Sequence, residues 1–90
     1  MKRAHLIVHG SVQGVFFRAN ARRKAIELGL KGYAKNMADG SVEIVAEGSK
    51  EKLNELIEFC RKNPGKSSVI KVDIKFENFK NEFNAFEIKS

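Results

Sequence analysis

The spacing of apolar residues switches between strand and helix periods in a fixed order along this chain, and that order restricts the fold more than any single residue does. Ala4-His5-Leu6-Ile7-Val8-His9 is β-branched and apolar and stops at Gly10, as a strand would. From Arg18 to about Leu28, Ala21, Ala25 and Leu28 make a narrow apolar stripe, with Arg22, Arg23 and Lys24 mostly off it. Gly29 stands where a left-handed residue would end that helix. Gly32 to Ala38 and Ser41 to Glu47 flank Asp39-Gly40, a hairpin signal. A two-residue loop there sets Ala38 against Ser41, Met37 against Val42 and Asn36 against Glu43. It predicts Tyr33, Met37, Val42, Ile44 and Ala46 on the core face, and Asn36 and Glu43 on the polar one. Ser49 is placed to cap a second helix whose stripe is Leu53, Leu56, Ile57 and Cys60, stopped by Asn63-Pro64-Gly65. Val69 to Phe79 alternates, with Ile70, Val72, Ile74 and Phe76 inward and Lys71, Asp73, Lys75 and Glu77 outward. Asn81-Glu82 reads as a turn, and Phe86 and Ile88 suggest a short last strand.

Strand, helix, hairpin, helix, strand is the order of the ferredoxin-like split β-α-β sandwich, an α+β fold with two helices on one face of an antiparallel sheet. The 90 residues are expected to form one domain, 1–90, with enough apolar content for a single core. In this topology the first two strands run the same way with the third between them. The loop after the first strand and the end of the second then meet, so Arg18 and Asn36 become neighbours.

That loop, Gly10 to Arg18, has the makings of an anion cradle. Gly10 and Gly14 allow a sharp fold that can turn N–H groups toward one point, and Arg18 delivers a permanent charge at a helix start. A plain strand-to-helix connection would also account for it. The net charge of +6 is concentrated around the loop: residues 1–35 hold eight basic residues against one acid, whereas the rest hold nine against ten. Such a field attracts a small anion or a nucleic acid backbone.

Several chemistries lack their residues. There is no Gly-x4-Gly-Lys-Ser/Thr loop, and no carboxylate pair near the cradle to hold magnesium. Cys60 lies on a helix stripe as a buried hydrophobe, away from the loop. His5 and His9 sit roughly 13 Å apart along a strand and cannot share an ion. No metal or other cofactor is expected. A cradle, an arginine and a neutral amide can hold a phosphate and a water but supply no nucleophile and no strong base. A mixed carboxylic–phosphoric anhydride suits such a site because it leaves as a carboxylate.

Two stretches carry a resemblance. Gly10-x-Val12-Gln13-Gly14-Val15-Phe16-Phe17-Arg18 resembles the first signature of the acylphosphatases. Gly32-Tyr33-Ala34-Lys35-Asn36, then Gly40-x-Val42 and Gly48, resembles the second, and the similarity covers essentially the whole chain. It implies metal-free hydrolysis of acyl phosphates to a carboxylate and inorganic phosphate, the latter also an inhibitor. Carried over, Arg18 and the loop amides of Ser11, Val12, Gln13, Gly14, Val15, Phe16, Phe17 and Arg18 would bind the phosphoryl oxygens, and Asn36 would orient the attacking water.

A rival of another class is a single-stranded nucleic-acid binder, since Lys31-Gly32-Tyr33-Ala34 begins like an RNP1 motif. Lys35-Asn36-Met37-Ala38 then replaces its aromatic continuation, so no nucleic acid partner is expected. One cysteine excludes an intrachain disulfide, and no apolar run is long enough for a signal peptide or a membrane span. The expectation is a cytoplasmic monomer.

Overall fold

The computed structural model describes residues 1–62, 64–65 and 67–89. The Asn63 part of the helix stop lies outside them. The chain forms β1 (Lys2–Ser11), α1 (Phe17–Glu27), β2 (Lys31–Asn36), β3 (Val42–Gly48), α2 (Lys50–Arg61), β4 (Ser68–Asn78) and β5 (Phe86–Lys89). The strand order is β4-β1-β3-β2-β5. Both β1 and β2 are antiparallel to the β3 strand between them, so they run the same way and their C-terminal ends meet.

Inward side chains of β1 (Ala4, Leu6, Val8) and β3 (Val42, Ile44, Ala46) are buried against Phe17, Ala21 and Ala25 of α1 and Leu53, Leu56, Ile57 and Cys60 of α2. Both helices end or begin as their sequences specify. Gly29 is left-handed at φ 72°, and the Gly29 and Leu30 N–H groups donate back to Ile26 and Ala25 at 3.0 and 2.9 Å, a Schellman closure. Ser49 Oγ accepts from the Lys52 N–H at 3.2 Å. Burial pushes the Cys60 thiol up to about 12, so it stays protonated and packs as a hydrophobe.

Three expectations need correction. The sheet is mixed, because β5 pairs with β2 in parallel. β4 runs against β1, so a chain that reverses after β4 must run with β1 and β2. Residues 79–85 cross from one sheet edge to the other. Four strand spacings are about 19 Å, within the reach of seven extended residues.

The hairpin register differs by one residue: Asn36 pairs with Val42, Lys35 with Glu43 and Ala34 with Ile44. The loop holds five residues, Met37–Ser41, closed by Met37 N–H donating to Ser41 O at 2.8 Å. Asp39 Oδ1 accepts from the Ser41 N–H at 3.0 Å, and Gly40 takes φ 93°. An odd loop reverses the parity of β2. Ala34 therefore faces the core, Tyr33 turns to the open face, Met37 leaves the strand, and Asn36 shares the inner side with Ala34.

The third correction is Ile70, which is 80% exposed rather than inward. His9 pairs with Lys71 but Gly10 with Val69, so a bulge leaves Ile70 unpaired and Val69 packs on the core instead. Gly10 serves this contact rather than the loop. A Cβ there would sit 2.1 Å from Ser68 O, too close for any other residue.

Glu47, at 4% exposure near the end of β3, secures the crossing segment. It accepts from the Lys80 N–H (2.8 Å), the Glu82 N–H (3.2 Å) and Arg3 Nε (3.2 Å). Burial alone would push its carboxyl up; these donors outweigh it and hold it below the usual carboxylate range. Its contribution is therefore complete above the ordinary carboxylate pKa and is lost as pH falls through the lower folded value. Glu47→Ala is expected to cost about 3 kcal/mol in urea unfolding at neutral pH, since it leaves the Lys80 and Glu82 amides without their acceptor and takes from Arg3 one of its two carboxylate partners, Glu82 being the other. The difference from the parent protein should shrink below about pH 4. A variant as stable as the parent would remove Glu47 from this role.

Candidate active site

The meeting of the β1 and β2 ends forms a cleft of about 240 Å³, lined by Val12, Gly14, Phe16, Phe17, Arg18, Ala19, Asn36 and Ile88. The loop before α1 is anchored by Val12 and Phe17, each 1% exposed, while the residues between them stand farther out. Two of these are left-handed: Gly14 at φ 75° and Phe16 at φ 61°. Phe16 is the N-cap of α1 and supplies no side-chain cap, and the first turn holds no acid. The first intrahelical bond is Asn20 N–H to Phe16 O at 3.0 Å, so the amides of Phe16, Phe17, Arg18 and Ala19 have no partner within the helix. Together with the helix dipole they favour an anion.

Arg18 lies in that first turn. Its Nη1 donates to the Lys89 carbonyl of β5 at 2.9 Å, which orients the guanidinium and leaves four of its five N–H donors. Arg22, one turn on, donates from Nε to Phe86 O at 3.1 Å and ties α1 to the same strand. β5 is thus the wall that holds Arg18 in place.

Asn36 enters from the end of β2, on the helix side of the sheet. Its Oδ1 is buried and accepts from no described residue. A desolvated acceptor without a donor costs about 1–3 kcal/mol, so a donor brought to this oxygen would be stabilising. The link between the two halves is Gln13. Its Nε2 donates to Met37 O at 2.8 Å and Ser41 O at 2.9 Å, the two carbonyls at the hairpin neck.

The cleft therefore gathers Val12, Gly14, Phe16, Phe17, Arg18 and Asn36 of the expected residues, but not Ser11, Gln13 or Val15. Ser11 pairs with Ser68 in the sheet, Val15 packs on the core and Gln13 braces the hairpin. Sequence reasoning missed Ile88 and the Lys89 carbonyl. The short Phe86–Ile88 pattern announced a strand but nothing about its neighbours.

The remaining polar clusters are structural. His5 Nε2 lies 2.7 Å from Glu43 and His9 Nε2 2.9 Å from Asp73 across strand pairs. No group of three or more His, Cys, Asp or Glu among the described residues could hold a metal ion. A larger depression of about 370 Å³ between the helices carries Lys24, Glu55, Glu58 and Lys62, cations balanced by acids, and no helix start opens into it.

Comparison with known proteins agrees with this geometry. The sequence profile of the family described as Acylphosphatase matches residues 4–88. An acylphosphatase of Methylococcus capsulatus is 46% identical over 88 residues, covering 98% of this chain and 96% of that one. The crystal structure of acylphosphatase from Bacillus subtilis superposes with a TM-score of 0.95 at 32% identity, covering 100% of both chains. An acylphosphatase from Coxiella burnetii gives a TM-score of 0.90 at 36% identity, over 98% of this chain and 92% of that one.

Proposed function

The chain belongs to the acylphosphatase family and is a hydrolase of acyl phosphates, and from that premise we propose how its own residues do the work. Arg18 and the loop amides, foremost those at the start of α1, bind the phosphoryl oxygens, and Asn36 Oδ1 accepts a hydrogen bond from the attacking water. The observation that carries this reading is the cleft itself: one space shared by a β5-held guanidinium, an uncapped helix start and a buried, unpartnered carboxamide oxygen among the described residues.

The water oxygen bonds to phosphorus as the bond from phosphorus to the carboxyl oxygen breaks. The electron pair departs on the carboxylate, and the water's proton passes to a phosphate oxygen. A carboxylate leaves readily, so the site has only to position water and stabilise equatorial charge. Each charge-assisted hydrogen bond contributes about 1.5–3 kcal/mol. Arg18 with a few amides is sufficient to grip a phosphate, which is why the product should also inhibit.

The same proposal treats 1–90 as one domain working as a metal-free cytoplasmic monomer. No helix among the described residues is long and apolar enough to cross a membrane. Purified protein is expected to hydrolyse benzoyl phosphate at the same rate with and without EDTA. Loss of activity on chelation would overturn the metal-free mechanism.

The nucleic-acid reading has less support. Tyr33 is on the open face, but Lys89 Nζ lies 4.2 Å from its ring centroid and Phe83 meets it edge-on at 6.0 Å. Its hydroxyl donates to Glu43 at 3.0 Å. The ring and hydroxyl of Tyr33 are thus already engaged within the chain, whereas a nucleic acid needs a free aromatic face on which to stack a base.

A further inference from the structure

The polar lining of the cleft is accounted for by phosphate and water; its apolar rim is not. Phe16 is 81% exposed and Ile88 43% exposed, and both line the same space as Arg18 and Asn36. Phe16 also holds a left-handed backbone at φ 61°, which is costly for a bulky residue and persists where the surroundings impose it. Its neighbour Phe17 is 1% exposed. Of two adjacent phenylalanines, one anchors the loop and the other is displayed at the mouth of the cleft.

We propose that Phe16 and Ile88 form the seat for the substrate's acyl group, and that the chain prefers aromatic or branched apolar acyl phosphates over acetyl phosphate. The inference rests on the acyl phosphate reading above. A group joined to a phosphoryl centre held by Arg18 emerges at the cleft mouth, where the ring offers a flat apolar surface and Ile88 a second one. A methyl group is too small to cover either surface. A benzoyl ring can stack on Phe16 and remove both faces from water.

The test compares kcat/KM for benzoyl and acetyl phosphate in the parent protein, Phe16→Ala and Ile88→Ser. Acetyl phosphate serves as the internal reference, so any change in phosphate grip common to both substrates cancels in the ratio. The benzoyl preference is expected to fall about tenfold in Phe16→Ala, the effect of one aromatic contact, and about threefold in Ile88→Ser. Phe16→Gly suits the left-handed backbone and provides a folded variant with the same loss. A ratio unchanged in all three variants overturns the proposal. Calorimetric binding of benzoylphosphonate and acetylphosphonate separates it from the hydrolysis reading. If the parent protein hydrolyses neither substrate yet binds benzoylphosphonate more tightly, and Phe16→Ala abolishes that difference, the seat stands and the catalytic reading falls. Equal binding of the two phosphonates by the parent protein overturns the seat.

Discussion

Arg18→Ala is expected to lower turnover of benzoyl phosphate by about a thousandfold or more and to abolish inhibition by inorganic phosphate. Removing one preorganised donor from a charge-stabilising site typically costs two to three orders of magnitude, about 2.7–4 kcal/mol, and a phosphoryl-directed arginine can supply more. The two losses belong together because, in the role proposed for it, the guanidinium faces the same oxygens in substrate, transition state and product. Arg18→Lys makes a sharper case. One Arg18 N–H is committed to the Lys89 carbonyl at 2.9 Å, and an ammonium has no planar fork to hold that bond and a phosphate together. Charge without geometry should recover no more than about tenfold of the lost rate. Stability should change little, since the side chain is only half-buried and its bond to Lys89 lies at the surface. Phosphate inhibition retained at parental strength in Arg18→Ala would exclude this residue from the cradle.

The juxtaposition of Arg18 with Asn36 was legible before any coordinates because it depends only on element order. Once β1 and β2 run the same way around β3, their ends must meet. What the pattern misread was parity. Asp39-Gly40 looks like a tight two-residue turn, but Asp39 bonds Ser41 and widens the loop to five residues. The small residues of β2 held the contrary clue. Gly32 and Ala34 face the helices, where Ala21 and Ala25 bring α1 close, and Tyr33 is too large for that gap.

The bulge at Ile70 left no local trace, because the alternation through β4 is unbroken in sequence. It arises from the approach of Gly10 to the β4 backbone, a contact between residues sixty apart. The Gln13 brace was illegible for the same reason: its partners are main-chain carbonyls of a distant loop, and no side chain identifies them. The signature residues thus divide into those that face the cleft and those that hold it open.

Asn36→Ala is expected to separate the two halves of the site. Turnover should fall about a hundredfold to a thousandfold, as when a single positioning dipole is removed, while the inhibition constant for phosphate stays within about threefold of the parent value. The asymmetry follows from placement. In the proposed arrangement phosphate is gripped from the α1 side by Arg18 and the uncapped amides, whereas Asn36 reaches the cleft from the end of β2. Thermal stability supplies an independent readout. A buried oxygen with no donor among the described residues is a cost in the folded state, so its removal should leave the unfolding temperature unchanged or raise it. A structural asparagine would do the opposite, lowering stability and activity together. Asn36→Asp tests the charge side of the argument. It keeps the size and an acceptor oxygen but adds a negative charge to a cleft built for an anion, so it should weaken phosphate inhibition as well as turnover. An Asn36→Ala enzyme that loses phosphate binding and turnover in equal measure would place this carboxamide on the phosphate and leave the water without a partner from β2.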